Sequence, residues 1–207
     1  MRVFGKLGLP AWTSAFALCL GCQAGPTQIS IPTVNPGTAA AGAIELADKD
    51  GDEAISKEEA VATPSLLAVF EKYDANTDGR IDAAEIEGQI ASWYAKAPMV
   101  FPVRCLVKMD GRPLMGAKVV FEPEPFLGVD LGEGVSDVGA AGDCGPSLLP
   151  ERLGKIPYGM FCGLYRAKIT HPSRQIPAKY NEHTELGFEV SPSLNPNDPP
   201  VLSLSSK

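Results

Sequence analysis

Residues 48–59 read DKDGDEAISKEE, and residues 74–85 read DANTDGRIDAAE. Carboxylates crowded this closely repel one another unless a cation sits among them. In both stretches oxygen-bearing side chains take the first, third and fifth places: Asp48, Asp50 and Asp52 in one, Asp74, Asn76 and Asp78 in the other. Place seven offers a main-chain carbonyl, from Ala54 and Arg80. Place eight is an isoleucine, Ile55 and Ile81, and place nine is Ser56 and Asp82. A glutamate that can give two oxygens closes each stretch, Glu59 and Glu85. Hard oxygen donors in this order are what a calcium ion takes. Place six needs a backbone with positive φ, and Gly79 supplies it in the second loop. The first loop has Glu53 there, at a cost on the order of 1 kcal/mol. The first loop is therefore expected to bind the more weakly, with Gly51 giving it some slack.

The flanks read as helices. Ala39 to Ala47 is an Ala-rich incoming helix with Ile44 turned inward, and Lys57 to Ala62 a short outgoing one. Thr63-Pro64 reads as an N-cap and a first-turn proline. Leu66, Phe70 and Tyr73 then fall at helical spacing, and Ile86, Ile90 and Trp93 repeat the stripe after the second loop. Two copies of one ligand pattern, 26 residues apart and each flanked by apolar helical stripes, resemble an EF-hand pair over residues 39–98. The resemblance implies Ca²⁺ as the bound ion, with the twelve residues Asp48, Asp50, Asp52, Ala54, Ser56, Glu59, Asp74, Asn76, Asp78, Arg80, Asp82 and Glu85 around it. Few residues separate Glu59 from Asp74, so the inner helices must be short. A compact, rigid pair fits that spacing better than a sensor that opens a groove.

The charge supports this division. The chain carries a formal −7, and residues 37–98 hold 13 acids against 5 bases. No basic face is left to neutralise phosphates, which excludes nucleic acid as a partner.

Residues 1–21 read as an export signal: Arg2 and Lys6, then a mostly apolar run from Leu7 to Leu20. Leu20-Gly21-Cys22 resembles the lipobox of bacterial lipoproteins, which implies lipidation of Cys22 and a membrane anchor in the cell envelope. Plain cleavage near Ala24, giving a secreted or periplasmic protein, is the alternative. Residues 22–38, rich in Pro, Gly and Thr, read as a flexible tether.

From Phe101 the apolar period changes to two. Val103, Cys105 and Val107 alternate with Arg104, Leu106 and Lys108. Ala117, Val119 and Phe121, then Tyr165, Ala167 and Ile169, then Leu186, Phe188 and Val190, and last Leu202 and Leu204, repeat the pattern. About seven such runs in roughly 100 residues predict an antiparallel β-sandwich. The runs VRCLVKMDGRPLMGAKVVFEPE, GLYRAKI and IPAKYNEHTELGFEV resemble the transthyretin-like (prealbumin-like), carboxypeptidase-regulatory-type domains of exported planctomycete lipoproteins. That resemblance covers residues 99–207 and implies a structural or interaction module for a protein or glycan partner. The expected fold is thus multi-domain α + β: a small all-α pair followed by an antiparallel sandwich.

The same resemblance implies no enzyme. Related iron dioxygenases need a His-x-His pair, and His171 and His183 stand twelve residues apart. Related hydrolases end in Tyr-Arg-Gly-Ser, where this chain ends in SLSSK. A hydrolase with its site in the sandwich loops and calcium only structural stays as the alternative. Of the cysteines beyond the tether, Cys105 alternates inward and reads as a buried thiol, which leaves Cys144 and Cys162 as the expected disulfide.

Overall fold

The computed structural model of the protein describes residues 31–95, 100–195 and 197–207. The export signal over 1–21, the lipidation site Cys22 and the tether as far as residue 30 lie outside the described residues.

Asn35 accepts the N–H of Thr38 at 3.0 Å and Pro36 takes the first helical place, so α1 (Pro36–Ala47) begins at a formed cap. Its inward face is alanine. Ala39, Ala40, Ala43 and Ala47 are fully buried, whereas Ile44 is only half-buried. Small residues let α1 lie close against a later helix. The first loop runs into β1 (Ala54–Ser56), and the expected outgoing helix is a single 3₁₀ turn, Glu59–Ala62. The inner helix is broken at Val69 (φ −120°, ψ 20°) into α2 (Pro64–Ala68) and α3 (Phe70–Tyr73). Leu66, Phe70 and Tyr73 stay buried across the break. The second loop runs through β2 (Arg80–Asp82) into α4 (Ala83–Tyr94), which buries Ile86, Ile90 and Trp93. α1 packs on α4.

The strands follow: β3 (Val100–Phe101), β4 (Cys105–Met109), β5 (Arg112–Pro113), β6 (Lys118–Pro123), β7 (Gly134–Asp137) and β8 (Asp143–Cys144). After a short helix, α5 (Pro150–Leu153), come β9 (Met160–Phe161), β10 (Gly163–Thr170), β11 (Gly187–Val190) and β12 (Val201–Leu204). Asp110 and Gly111, both with positive φ (49° and 78°), make the tight turn between β4 and β5. One four-stranded sheet has the order β11-β10-β6-β7, all antiparallel. Another has the order β12-β4-β5, with β8 also on β4, and its β12–β4 pair is parallel. β3 and β9 form a two-stranded ribbon.

The expected architecture, an all-α pair followed by a prealbumin-like antiparallel sandwich, is therefore corrected. Among the described residues the fold is mixed: five α-helices and several small sheets, one of them with a parallel strand. Even the helical block contains a sheet, because β1 and β2 pair antiparallel with Ile55 opposite Ile81. One buried cluster runs from Val34 to Leu204 through both halves. Frequent Gly and Pro cut the strands to two to eight residues, and the helices cover a sheet face that short strands leave open.

The two halves meet at close quarters. α2 lies on β11, and a Cβ added to Gly187 would stand 1.9 Å from the Pro64 carbonyl oxygen. Two buried carboxylates of the strand half face the helices. Glu124, 2% exposed, accepts the Ser65 hydroxyl at 2.8 Å and the Ser65 N–H at 3.3 Å. Its burial raises its pKa, and the Ser65 bonds, with Arg166 3.6 Å away, offset this only in part. Glu189 is the other.

The expected Cys144–Cys162 disulfide is also corrected: Cys105 bonds Cys144, and Cys162 is a buried free thiol. β8 pairs with β4 in a register that sets Cys105 directly opposite Cys144, with their Cα atoms 5.3 Å apart. Burial pushes the Cys162 thiol up to about 12, so it stays protonated.

Candidate metal centre

Each acidic loop is shaped by its own side chains. In the first, Asp48 accepts the N–H of Gly51 at 2.7 Å on one oxygen and that of Glu53 at 3.0 Å on the other. Asp50 accepts from Asp52 N–H at 3.2 Å, and Asp52 from Ala54 N–H at 3.1 Å. The second loop repeats this. Asp74 accepts from Asp78 and Gly79 at 3.1 and 2.9 Å, Asn76 Oδ1 from Asp78 at 2.8 Å, and Asp78 from Arg80 at 2.9 Å. Such short-range bonds are what Asp and Asn offer a turn.

The backbone repeats too. Places four and six are left-handed in both loops, Gly51 and Glu53 (φ 78° and 66°) and Thr77 and Gly79 (φ 59° and 84°). Glu53 thus takes the strained conformation that its place requires.

The closing glutamates sit alike. Glu59 accepts the N–H groups of Lys49, Asp50 and Ser56 at 2.7, 3.3 and 2.9 Å, and the Ser56 hydroxyl at 2.7 Å. These bonds, the Lys49 N–H foremost, lower its pKa to about 2. Glu85 accepts from Ala75, Asn76 and Asp82 at 2.9, 3.1 and 3.0 Å, while Asp82 caps α4 by accepting the Glu85 N–H at 2.8 Å. Each glutamate thereby ties the end of its loop to the beginning.

Among the described residues, Asp48, Asp50 and Asp52 each bring one carboxylate oxygen within 4.8 Å of the other two. Glu59 stands outside that trio, held by backbone N–H groups. In the second loop the Asn76 amide replaces the middle carboxylate. Three carboxylate oxygens at this spacing can hold a metal ion, and an all-oxygen donor set suits a hard cation. Ala54 and Arg80 lie on the β1–β2 ribbon that joins the loops. Ser56, opposite Arg80 in register, spends its hydroxyl on Glu59.

Sequence spacing gave no sign of one contact here. The Arg80 side chain of the second loop forms an ion pair with Asp52 of the first. The β1–β2 ribbon holds the two loops side by side, and from its place opposite Ser56 the long Arg80 side chain reaches back to Asp52. Spacing also gave no sign of Glu189, whose place among alternating residues read as solvent-facing. In the structure Phe188, Glu189 and Val190 are all buried, a strand covered on both faces, which the alternation of residue types does not reveal.

His171 and Tyr180 have structural partners. His171 Nδ1 accepts the Ser173 N–H at 3.1 Å, which leaves the proton on Nε2, 3.0 Å from the Met115 carbonyl oxygen. Tyr180 is buried and its hydroxyl accepts the Ser205 N–H at 3.0 Å. His183 is exposed. Comparison of the chain with protein-family models, with curated proteins and with solved structures gave no match.

Proposed function

We propose that the protein binds calcium without being an enzyme, and that residues 48–59 and 74–85 act as an EF-hand pair with one Ca²⁺ in each loop. The observation that carries this reading is the convergence of Asp48, Asp50 and Asp52 within a loop whose backbone conformation recurs in the second. The carboxylates and the Asn76 amide supply side-chain oxygens, Ala54 and Arg80 their carbonyls, and Glu59 and Glu85 close each shell. Ser56 and Asp82 stand at place nine. A bound Ca²⁺ cancels the repulsion among these groups, so its binding energy adds to folding energy.

The location we propose is the cell envelope, after export and lipidation at Cys22, with secretion into the periplasm or beyond as the alternative. The Cys105–Cys144 disulfide supports an oxidising compartment. Millimolar calcium outside the cytoplasm fills weak sites. The strand half then serves as a structural or interaction module for a protein or glycan.

Titration calorimetry on residues 23–207 tests the calcium reading. We expect two sites, with Glu59→Gln removing the first and Glu85→Gln the second. No heat, and no change in melting temperature at millimolar calcium, would overturn it.

A further inference from the structure

Glu189 lies on β11 and is 7% exposed. Strand alternation turns Phe188 into the strand half, where it packs edge-on to Phe121, and turns Glu189 towards the helices. Its Oε1 accepts the Trp93 indole N–H at 3.0 Å and the Tyr73 hydroxyl at 3.4 Å, and its Oε2 forms an ion pair with Lys72. Lys72 Nζ also reaches the hydroxyls of Ser193 and Ser191 at 3.1 and 3.4 Å.

These donors come from two particular places. Lys72 and Tyr73 end α3, and Tyr73 is bonded directly to Asp74, the first residue of the second loop. Trp93 stands near the end of α4, the helix whose first turn carries Glu85, the last residue of that loop. Eight residues of helix, about 12 Å, separate Glu85 from Trp93. One carboxylate therefore holds the element entering the loop and the element leaving it. A second tie, Gln89 Nε2 to the Lys72 carbonyl at 3.2 Å, joins the same two elements without the sheet.

We propose that Glu189 is a positioning residue for the second metal loop: from the sheet it fixes the spacing between the Asp74 and Glu85 ends, so that the loop is preorganised for its cation. This rests on the calcium reading above. Without metal, repulsion among Asp74, Asp78 and Glu85 drives the loop ends apart. Without Glu189, buried donors on Tyr73 and Trp93 lose their acceptor, and α3 and α4 shift to find others. The loop must then spend binding energy on recovering its spacing.

The test uses residues 23–207 in the Glu59→Gln background, where 74–85 is the remaining site. Calcium affinity is read by calorimetry, and terbium affinity by luminescence excited through Tyr73 and Trp93. We expect Glu189→Ala to weaken both on the order of tenfold, the scale of lost outer-shell support at metal sites. Glu189→Gln, which keeps an acceptor oxygen but loses the charge, should weaken them less and should change the Trp93 emission of the calcium-free protein. Phe121→Leu destabilises the sheet without touching the Glu189 contacts and should leave the affinity unchanged. Affinity within twofold of the parent in folded Glu189→Ala overturns the inference. If that variant does not fold, unchanged affinity in both Glu189→Gln and Lys72→Met overturns it. If the parent itself binds no calcium, the calcium reading has failed and this inference falls with it.

Discussion

Glu53 takes a φ of 66° and adds a carboxylate beside the three converging aspartates. The strain opposes filling of the first loop, whereas the added negative charge favours a cation. Relief of the backbone strain alone is worth about 1 kcal/mol, close to fivefold in affinity. Glu53→Gly, which relieves the strain but drops the charge, should tighten the first site by at most that factor, and Glu53→Ala, which drops the charge and keeps the Cβ, should weaken it. Calorimetry with Glu85→Gln as parent reads both. Arg80 also opposes filling, since its guanidinium already pairs with Asp52. An exposed pair is worth at most about 1 kcal/mol, so Arg80→Met should tighten the first site by up to about fivefold. Glu59 adds a pH dependence. Its folded-state pKa of about 2 lies below the ordinary 4.5, so the stability it gives is complete above pH 4.5 and is lost as pH falls towards 2. In chelator, the melting temperature of the wild type should fall more steeply through that window than that of Glu59→Gln. Parallel curves would show that the Glu59 bonds do not persist in solution.

The contact between α2 and β11 joins the two halves with no room to spare. Gly187→Ala puts a methyl group against the Pro64 carbonyl oxygen, and α2 must lift off β11 to admit it. We expect a loss of at least about 3 kcal/mol, at the upper end of overpacking costs. Gly145→Ala is the control, because the nearest atom to its added Cβ is 3.6 Å away. Urea unfolding of the two variants compares them directly. The same elements show what was legible in the chain. The loops could be read because their donors are local: twelve consecutive residues carry the whole pattern. The buried faces of β6 and β10 could be read because Val119, Phe121, Ala167 and Ile169 alternate. What covers those faces could not. Periodicity marks Phe188 as inward but leaves Glu189 indistinguishable from a surface residue, because its donors lie about a hundred positions away. The disulfide failed for a similar reason. Cys105 alternates inward as expected, yet an inward Cys can still meet a partner strand, and the β4–β8 register that brings Cys144 to it spans 39 residues.

At the scale of the molecule, the acidic loops are built into the core rather than hung on it. Trp93 and Tyr73 are fully buried, and Glu189 of the strand half accepts hydrogen bonds from both. Binding energy released in the loops should therefore stabilise the strands as well. At calcium a hundred times above Kd each filled site adds about 2.7 kcal/mol, or roughly 5–10 °C for a protein of this size. Trp93 fluorescence and the far-ultraviolet strand signal should rise together in one transition. If only the fluorescence transition moves, the two halves melt independently and the junction at Glu124, Gly187 and Glu189 is weaker than its packing implies. The number of bound ions tests the central claim most directly. Native mass spectrometry of residues 23–207 in calcium should show two added Ca²⁺ in the wild type, one in Glu59→Gln, one in Glu85→Gln and none in the double variant. A wild type that carries no calcium at all would contradict the account.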